Sequence, residues 1–412
     1  MVLSEGNTEH KVMSSAANIS DEFGNPWQEF WSLDRQITFL NHGSFGACPQ
    51  VVMAEQKRLR SQLELDPVRF FMQDFELLLD DARHKLAQFV GANPEDLVFV
   101  PNATTGVNTV LRSLHFHPGD EILTTDHAYN ACQNALNFVG DRANVQIVRA
   151  PVSFPLESPD QIIEAVMQKV SAKTKLVLLD HATSQTGLIF PIEKLISQLT
   201  KLGIDTLVDG AQAPGMVSID LSEIGATYYT GNCHKWLLSP KGAGFLYIRS
   251  DRQSQIRPLS ISNGTNSPRT DKSRFHLEFD WTGTDDPTAY LSVSTAINFI
   301  DLNLENGWNE LMQRNHQLAV TARKIIAETL GVALPCPGEM IGAMAAIPLP
   351  HQVEKFPPEQ LQNALYDRYQ IQVPIFYFWP TQQWIVRISA QLYNTEAQYE
   401  KLAQALKDLL DI

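Results

Sequence analysis

The sequence has no uninterrupted apolar run of about 18 residues, the length that a bilayer-spanning helix needs. Its first stretch, Met1 to Asp21, also lacks the apolar core of a secretory leader. Residues 1–21 are therefore read as a flexible N-terminal segment, and a cytoplasmic protein that meets no membrane is expected. Cysteine is scarce: Cys48, Cys132, Cys233 and Cys336 stand far apart with no CxxC pair, so neither a disulfide framework nor a metal site is expected. Basic residues are outnumbered, 32 Lys and Arg against 46 Asp and Glu, for a net charge of −14. That surplus repels phosphate backbones, so no nucleic-acid partner is expected, and the acidity is accounted for by solubility. No GxGxxG follows the first strand-like run, which removes the fingerprint of a dinucleotide-binding dehydrogenase. Internal repeats and low-complexity tracts are missing too.

What is present is an ordinary globular composition, 44% hydrophobic and 19% charged over 412 residues, enough for two or three domains. Short apolar runs at Leu97–Val100, Glu121–Thr124, Val145–Val148, Lys175–Asp180, Asp205–Val208, Thr227–Thr230 and Gly244–Arg249 read as strands. Helical patterns at Thr105–Leu114, Asn130–Val139, Pro159–Val170 and Pro191–Leu202 lie between them. Such alternation predicts an α/β fold, a mainly parallel seven-stranded sheet with helices on both faces. Ser254–Asp286 has no period and reads as a loop; Tyr290 to about Leu330 reads as one long helical stretch. The tail pairs strands (Gly342–Ile347, Trp384–Ile388) with helices (Glu359–Tyr369, Ala397–Leu410), as in a smaller α+β domain. The expected division is a large domain over 22–289 and a small C-terminal one over 290–412.

In open parallel sheets ligands gather beyond the carboxyl ends of the strands. After the first run comes Pro101-Asn102-Ala103-Thr104-Thr105-Gly106, whose small residues leave helix N-terminal N–H groups free for an anion. An ordinary N-cap explains that segment equally well. After the fifth run Asp209-Gly210-Ala211-Gln212 places a carboxylate at a strand end, which suits a cationic ring nitrogen or, as plainly, a helix cap. After the sixth comes Gly231-Asn232-Cys233-His234-Lys235-Trp236, then Leu237 and Leu238. That apolar setting speaks against a solvated lysine and for a desolvated, nucleophilic one.

Together with Gly242-Ala243-Gly244-Phe245-Leu246, these segments resemble the signature of the class V aminotransferases, a family of pyridoxal 5'-phosphate enzymes. Asn41-His42-Gly43-Ser44-Phe45-Gly46, Asp126-His127-Ala128-Tyr129-Asn130-Ala131 and Trp281-Thr282-Gly283-Thr284-Asp285 are similar to its isopenicillin N epimerase-like branch. The likeness runs from about Ile37 to the C-terminus and implies fold type I of the pyridoxal phosphate enzymes. It also implies a role for each matching residue. Lys235 carries the cofactor as a Schiff base and moves the α-proton; Asp209 pairs with the pyridinium; Gln212 faces the phenolic oxygen. Thr104, Thr105, Asn232 and His234 hold the phosphate, although Asn232 stands where the family often has Ser. His127, or else Tyr129, stacks on the ring, and Thr284 reaches the phosphate of a neighbouring subunit, which implies a homodimer with shared sites. Arg387 clamps the substrate carboxylate, a bidentate task that suits a guanidinium. Asn41 and His42 lie on the substrate side. His181 and Ser184 line the pocket or belong to the core, and Phe376, Tyr377, Phe378 and Trp379, just ahead of Arg387, shape a substrate pocket or, more plainly, form small-domain core.

Once the α-proton is mobile, the protein decides between epimerisation, β-elimination and transamination. Epimerisation of an amino-acid-like substrate is the first expectation, then a C–S lyase on a cysteine derivative, then an aminotransferase. A persulfide-forming desulfurase needs a nucleophilic Cys on a mobile C-terminal loop, and only Cys336 lies in that part. A binding module without catalysis has no use for Lys235, Asp209 and Arg387 together.

Overall fold

A computed structural model describes residues 25–412, so the lead-in expected at 1–21 lies outside the described residues. The central sheet is built from β1 (Leu97–Val100), β2 (Glu121–Thr125), β3 (Gln146–Ala150), β4 (Thr174–Asp180), β5 (Asp205–Gly210), β6 (Tyr228–Asn232) and β7 (Gly244–Ile248). Their order is β1-β7-β6-β5-β4-β2-β3, and β7 is antiparallel to both its neighbours while the other pairs are parallel. The expected mainly parallel seven-stranded sheet is therefore observed.

Alternation along the strands explains the two covered faces. Leu176 and Leu178 of β4 join the core cluster of α3 (Ala103–Ser113) and α4 (Asn130–Ala143); Val177 and Leu179 join the opposite one. On that second face α6 (Ile192–Lys201) buries Ile192, Leu195, Ile196 and Leu199, one stripe at helical spacing. Ahead of them in the chain come α1 (Gln50–Leu65) and α2 (Phe75–Val90), the second packed beside β1; α5 (Pro159–Met167) opens on a Ser158–Gln161 capping box.

Two expectations need correction. The stretch from Tyr290 to Leu330 is not one helix but α7 (Val293–Asn303) and α8 (Gly307–Leu330), with Gly307 at φ +52° at the break. The 254–286 segment is not loop throughout: Arg274–Phe279 is helical, capped by Ser273, and drives Phe275 and Phe279 into the core. Arg257 pairs with Glu278 within the segment, and Arg83 donates to Asp280 at 2.6 Å, which ties it to α2. No period marks it because its apolar anchors sit in a single six-residue turn of helix.

The C-terminal part has a three-stranded antiparallel sheet, β9 (Ile375–Phe378), β10 (Gln383–Ser389) and β8 (Met344–Pro348) in that spatial order. It packs with α8, α9 (Pro358–Tyr369) and α10 (Glu396–Leu410). The N-terminal arm is stitched to it: Thr38–Phe39 pairs in parallel with Ile371–Gln372, and Ser389 N–H donates to Leu40 O at 3.0 Å.

Candidate active site

The site forms beyond the carboxyl ends of β4, β5 and β6, under the arm and β10. Asp209 closes β5, 3% exposed; its Oδ1 accepts from Ala211 N–H at 2.9 Å and its Oδ2 from the Cys132 thiol at 3.1 Å. Burial, then the carboxyls of Asp209 and Asp180, push the Cys132 thiol well above its ordinary pKa, so it stays a donor. No capping helix follows Asp209, and the carboxylate is free to serve a ligand.

Lys235 lies in the turn after β6, half-buried. Its pKa is lowered to about 8, first by desolvation and next by the positive charge of Arg387; Asp209 pulls the other way. The arm fixes the lysine from behind. His42 Nε2 donates to Lys235 O at 3.1 Å, while its Nδ1 accepts from Tyr393 Oη–H at 2.7 Å. Burial holds His42 neutral, with its pKa lowered to about 3. Both its ring nitrogens are thus taken by the protein. Gln212 donates one amide hydrogen to Gly43 O at 2.7 Å and accepts from Trp236 Nε1 at 2.9 Å, which leaves its other hydrogen available.

At the N-terminus of α3, Asn102 caps Thr105 N–H at 2.9 Å, which bears out the capping reading of this segment. The helix end is pressed against β6, because a Cβ on Gly106 would lie 2.1 Å from Thr230 Oγ1. Asn232 accepts from Ala103 N–H at 2.8 Å, steadying that helix end, and its amide donors remain free. His234 Nδ1 donates to Ala243 O at 3.2 Å; burial, then Lys235, lowers its pKa to about 4. A bound anion would draw it back toward the protonated donor.

His127 is set deep, 4% exposed: Nε2 donates to Val152 O at 3.1 Å and Nδ1 accepts from Thr186 Oγ1–H at 2.9 Å. Phe378 meets the ring edge-on at 4.8 Å, and burial lowers its pKa to about 4. Tyr129, two residues on, is 44% exposed. His181 is held by Tyr229 Oη at 2.8 Å and belongs to the core.

Arg387 of β10 is 1% exposed, and no carboxylate pairs with it among the described residues. Its Nη1 donates to Ser184 O at 2.5 Å; Nη2 donates to Asn41 Oδ1 at 3.0 Å and Ser44 Oγ at 2.9 Å. Its Nε has no partner. Desolvation alone lowers its pKa to about 10, the signature of a buried cation awaiting an anion. Thr284 lies apart on an exposed loop, whose neighbours Gly283 and Asp285 line a cavity of about 420 Å³ with Thr105.

Sequence reading missed Cys132, Asp180, Tyr393 and Thr186, whose partners become neighbours only in the fold. Of the aromatic cluster, Phe378 is core as expected and also meets His127, Phe376 packs against that core and onto Arg387, and Trp379 at the hairpin turn is 76% exposed. Of the missed residues, Asp180 had the clearest signal, an acid closing an apolar strand just as Asp209 does.

A buried carboxylate at one end, a helix N-terminus with two threonines at the other and a desolvated lysine between them form a donor set that fits pyridoxal 5'-phosphate. Together with the fold they define a fold-type I pyridoxal phosphate enzyme. The Aminotransferase class-V family pattern matches residues 37–402, and the chain belongs to that family. It is 34% identical over 395 residues to isopenicillin N epimerase of Amycolatopsis lactamdurans, covering 92% of this chain and 96% of that one. It is 29% identical over 406 residues to a probable chloroplastic L-cysteine desulfhydrase of Arabidopsis thaliana, covering 93% and 85%. Among solved structures, the cystine C–S lyase C-DES with its product cysteine persulfide superposes with TM-score 0.78 at 21% identity, over 93% of this chain and 99% of that one. The cysteine desulfurase CsdA from Escherichia coli superposes with TM-score 0.77 at 18% identity, over 94% and 99%. The chain is thus a pyridoxal phosphate-dependent enzyme, and no helix among the described residues is long and apolar enough to cross a membrane.

Proposed function

We propose that the enzyme removes the α-proton of an amino-acid substrate whose carboxylate sits on Arg387, and that a proton delivered to the opposite face of the α-carbon gives the epimer. The observation that carries the α-carboxylate reading is the buried Arg387 guanidinium with no acidic partner among the described residues. Bound pyridoxal phosphate supplies the electron sink that acidifies the α-carbon. The chain's own residues do the rest. Arg387, aligned by Asn41 and Ser44, orients the carboxylate; Lys235, with its pKa lowered to about 8, takes up the α-proton at Nζ on its own face, and the open face receives a proton from solvent. Asp209 meets the pyridine nitrogen, Gln212 the phenolic oxygen, and Thr104, Thr105, Asn232 and His234 the phosphate. His127 backs the site, Tyr129 faces its open side, and His42 positions Lys235. Thr284 reaches the site of a second copy in a homodimer, a reading supported by its exposed loop beside the cavity that Thr105 lines.

C–S lysis of a cysteine derivative is the second reading. It is supported by the 29% identity to a desulfhydrase and by His127, whose two ring nitrogens are occupied, so that it offers no second base. There Lys235 would pass the proton to the departing sulfur. Incubating the cofactor-loaded enzyme in heavy water with L- and D-amino acids and cysteine derivatives tests both. Deuterium uptake with loss of chirality and no keto acid is expected of an epimerase. Pyruvate with sulfide or a thiol would replace that reading by the lyase, and absence of α-exchange with every substrate would remove both.

A further inference from the structure

Asp180 closes β4 next to Asp209, and the reading above gives it no task. The two residues are register partners across β4 and β5. They also point the same way. Leu176 and Leu178 on β4 and Leu207 on β5 belong to the cluster facing α3 and α4, and Asp180 and Asp209 each continue that alternation by two residues. Both are almost wholly buried, 2% and 3% exposed. Asp209 has donors on both oxygens. Asp180 Oδ2 has none, and no lysine or arginine makes an ion pair with Asp180 among the described residues. The neighbouring Cys132 thiol is already spent on Asp209, and the Thr124 hydroxyl, on the same face of β2, also lacks a partner.

Two adjacent carboxylates in a dry site cannot both stay ionised against a single ring cation. An unpartnered oxygen on one of them is where a proton belongs. We propose that Asp180 and Asp209 form a carboxyl pair holding one proton, with Asp180 the neutral member and Asp209 the charge that meets the pyridine nitrogen. Asp180 is then a positioning residue that leaves one negative charge at that end of the cofactor, matched to one pyridinium. Burial first, and the charge of Asp209 next, raise the Asp180 carboxyl well above the usual range, and the facing Tyr129 N–H offsets this only in part.

The second half of the proposal rests on Asp209 facing the pyridine nitrogen, so the test separates the two. Carbon NMR of isotope-labelled aspartate carboxyls in the cofactor-loaded enzyme should show one protonated carboxyl at neutral pH, absent in the nearly isosteric Asp180→Asn. Nitrogen NMR of isotope-labelled cofactor should give the same protonated pyridine signal in Asp180→Asn as in the parent, and an altered one in Asp209→Asn. Asp180→Ala should weaken cofactor binding by about tenfold or more, rescued by Asn, because Asn keeps a neutral polar side chain of the same shape beside Asp209. A wild-type enzyme without the protonated signal, or a signal that survives Asp180→Asn, overturns the shared proton. An unchanged pyridine nitrogen in Asp209→Asn overturns the pyridine assignment, whatever the carbon spectrum shows.

Discussion

Arg387 lies under the face of Phe376, its guanidinium carbon 5.2 Å from the ring centroid. The ring excludes water from one side of a cation whose Nη atoms are held by Asn41, Ser44 and Ser184. Cation–π contact and desolvation together strengthen any carboxylate that reaches the free Nε edge.

Arg387→Lys keeps the charge and loses the planar fork. KM for amino-acid substrates should rise by about tenfold or more, equivalent to about 1.4 kcal/mol, in steady-state kinetics. The visible absorbance of the bound cofactor should be unchanged, as the proposed role of Arg387 toward substrate requires.

Lys235, the proposed Schiff-base lysine, can capture the cofactor only when its amine is neutral. With its pKa lowered to about 8, the ammonium dominates below that pH and the free amine above it. Stopped-flow capture of pyridoxal phosphate by the apo protein should speed up about tenfold per pH unit up to about 8 and then level off. Lys235→Ala should show no such absorbance change at any pH.

His127 and Tyr129 should part company on substitution. His127→Ala removes two hydrogen bonds and a ring wedged among Phe154, Phe190 and Phe378, so unfolding free energy should drop by about 2–4 kcal/mol in denaturant titration. Tyr129→Phe, at a half-open position, should cost about 0.5 kcal/mol or less. Its effect should fall on kcat/KM instead.

Gly106→Ala forces α3 away from β6, since its Cβ would meet Thr230. Overpacking of this kind costs about 1–3 kcal/mol, and shifting the helix end should raise the cofactor's Kd as well. Fluorescence titration of the apo variant measures it.

The sheet was legible because strands buried on both faces read as short apolar runs, and β1, β4 and β5 begin or end within two residues of their expected limits. Lys235, Asp209 and Arg387 were legible because each is a charged residue among apolar neighbours. The break before Gly307 was not, because a three-residue interruption leaves the helical period on both sides intact. Nor was Cys132, whose partner Asp209 lies 77 residues away. Periodicity reports which face a residue occupies, whereas a hydrogen bond across the sheet depends on which strands the topology makes adjacent.

The arm at Thr38–Phe39 pairs with residues 371–372, and its Asn41 and Ser44 grip an arginine at 387. Synthesis runs from N to C, so a growing chain carries Asn41 and Ser44 long before their partner exists. The residues proposed to hold the cofactor all lie before residue 285, well ahead of Arg387. A chain released early can therefore hold every part that greets the cofactor and still have no seat for a carboxylate, which makes substrate recognition a late product of translation.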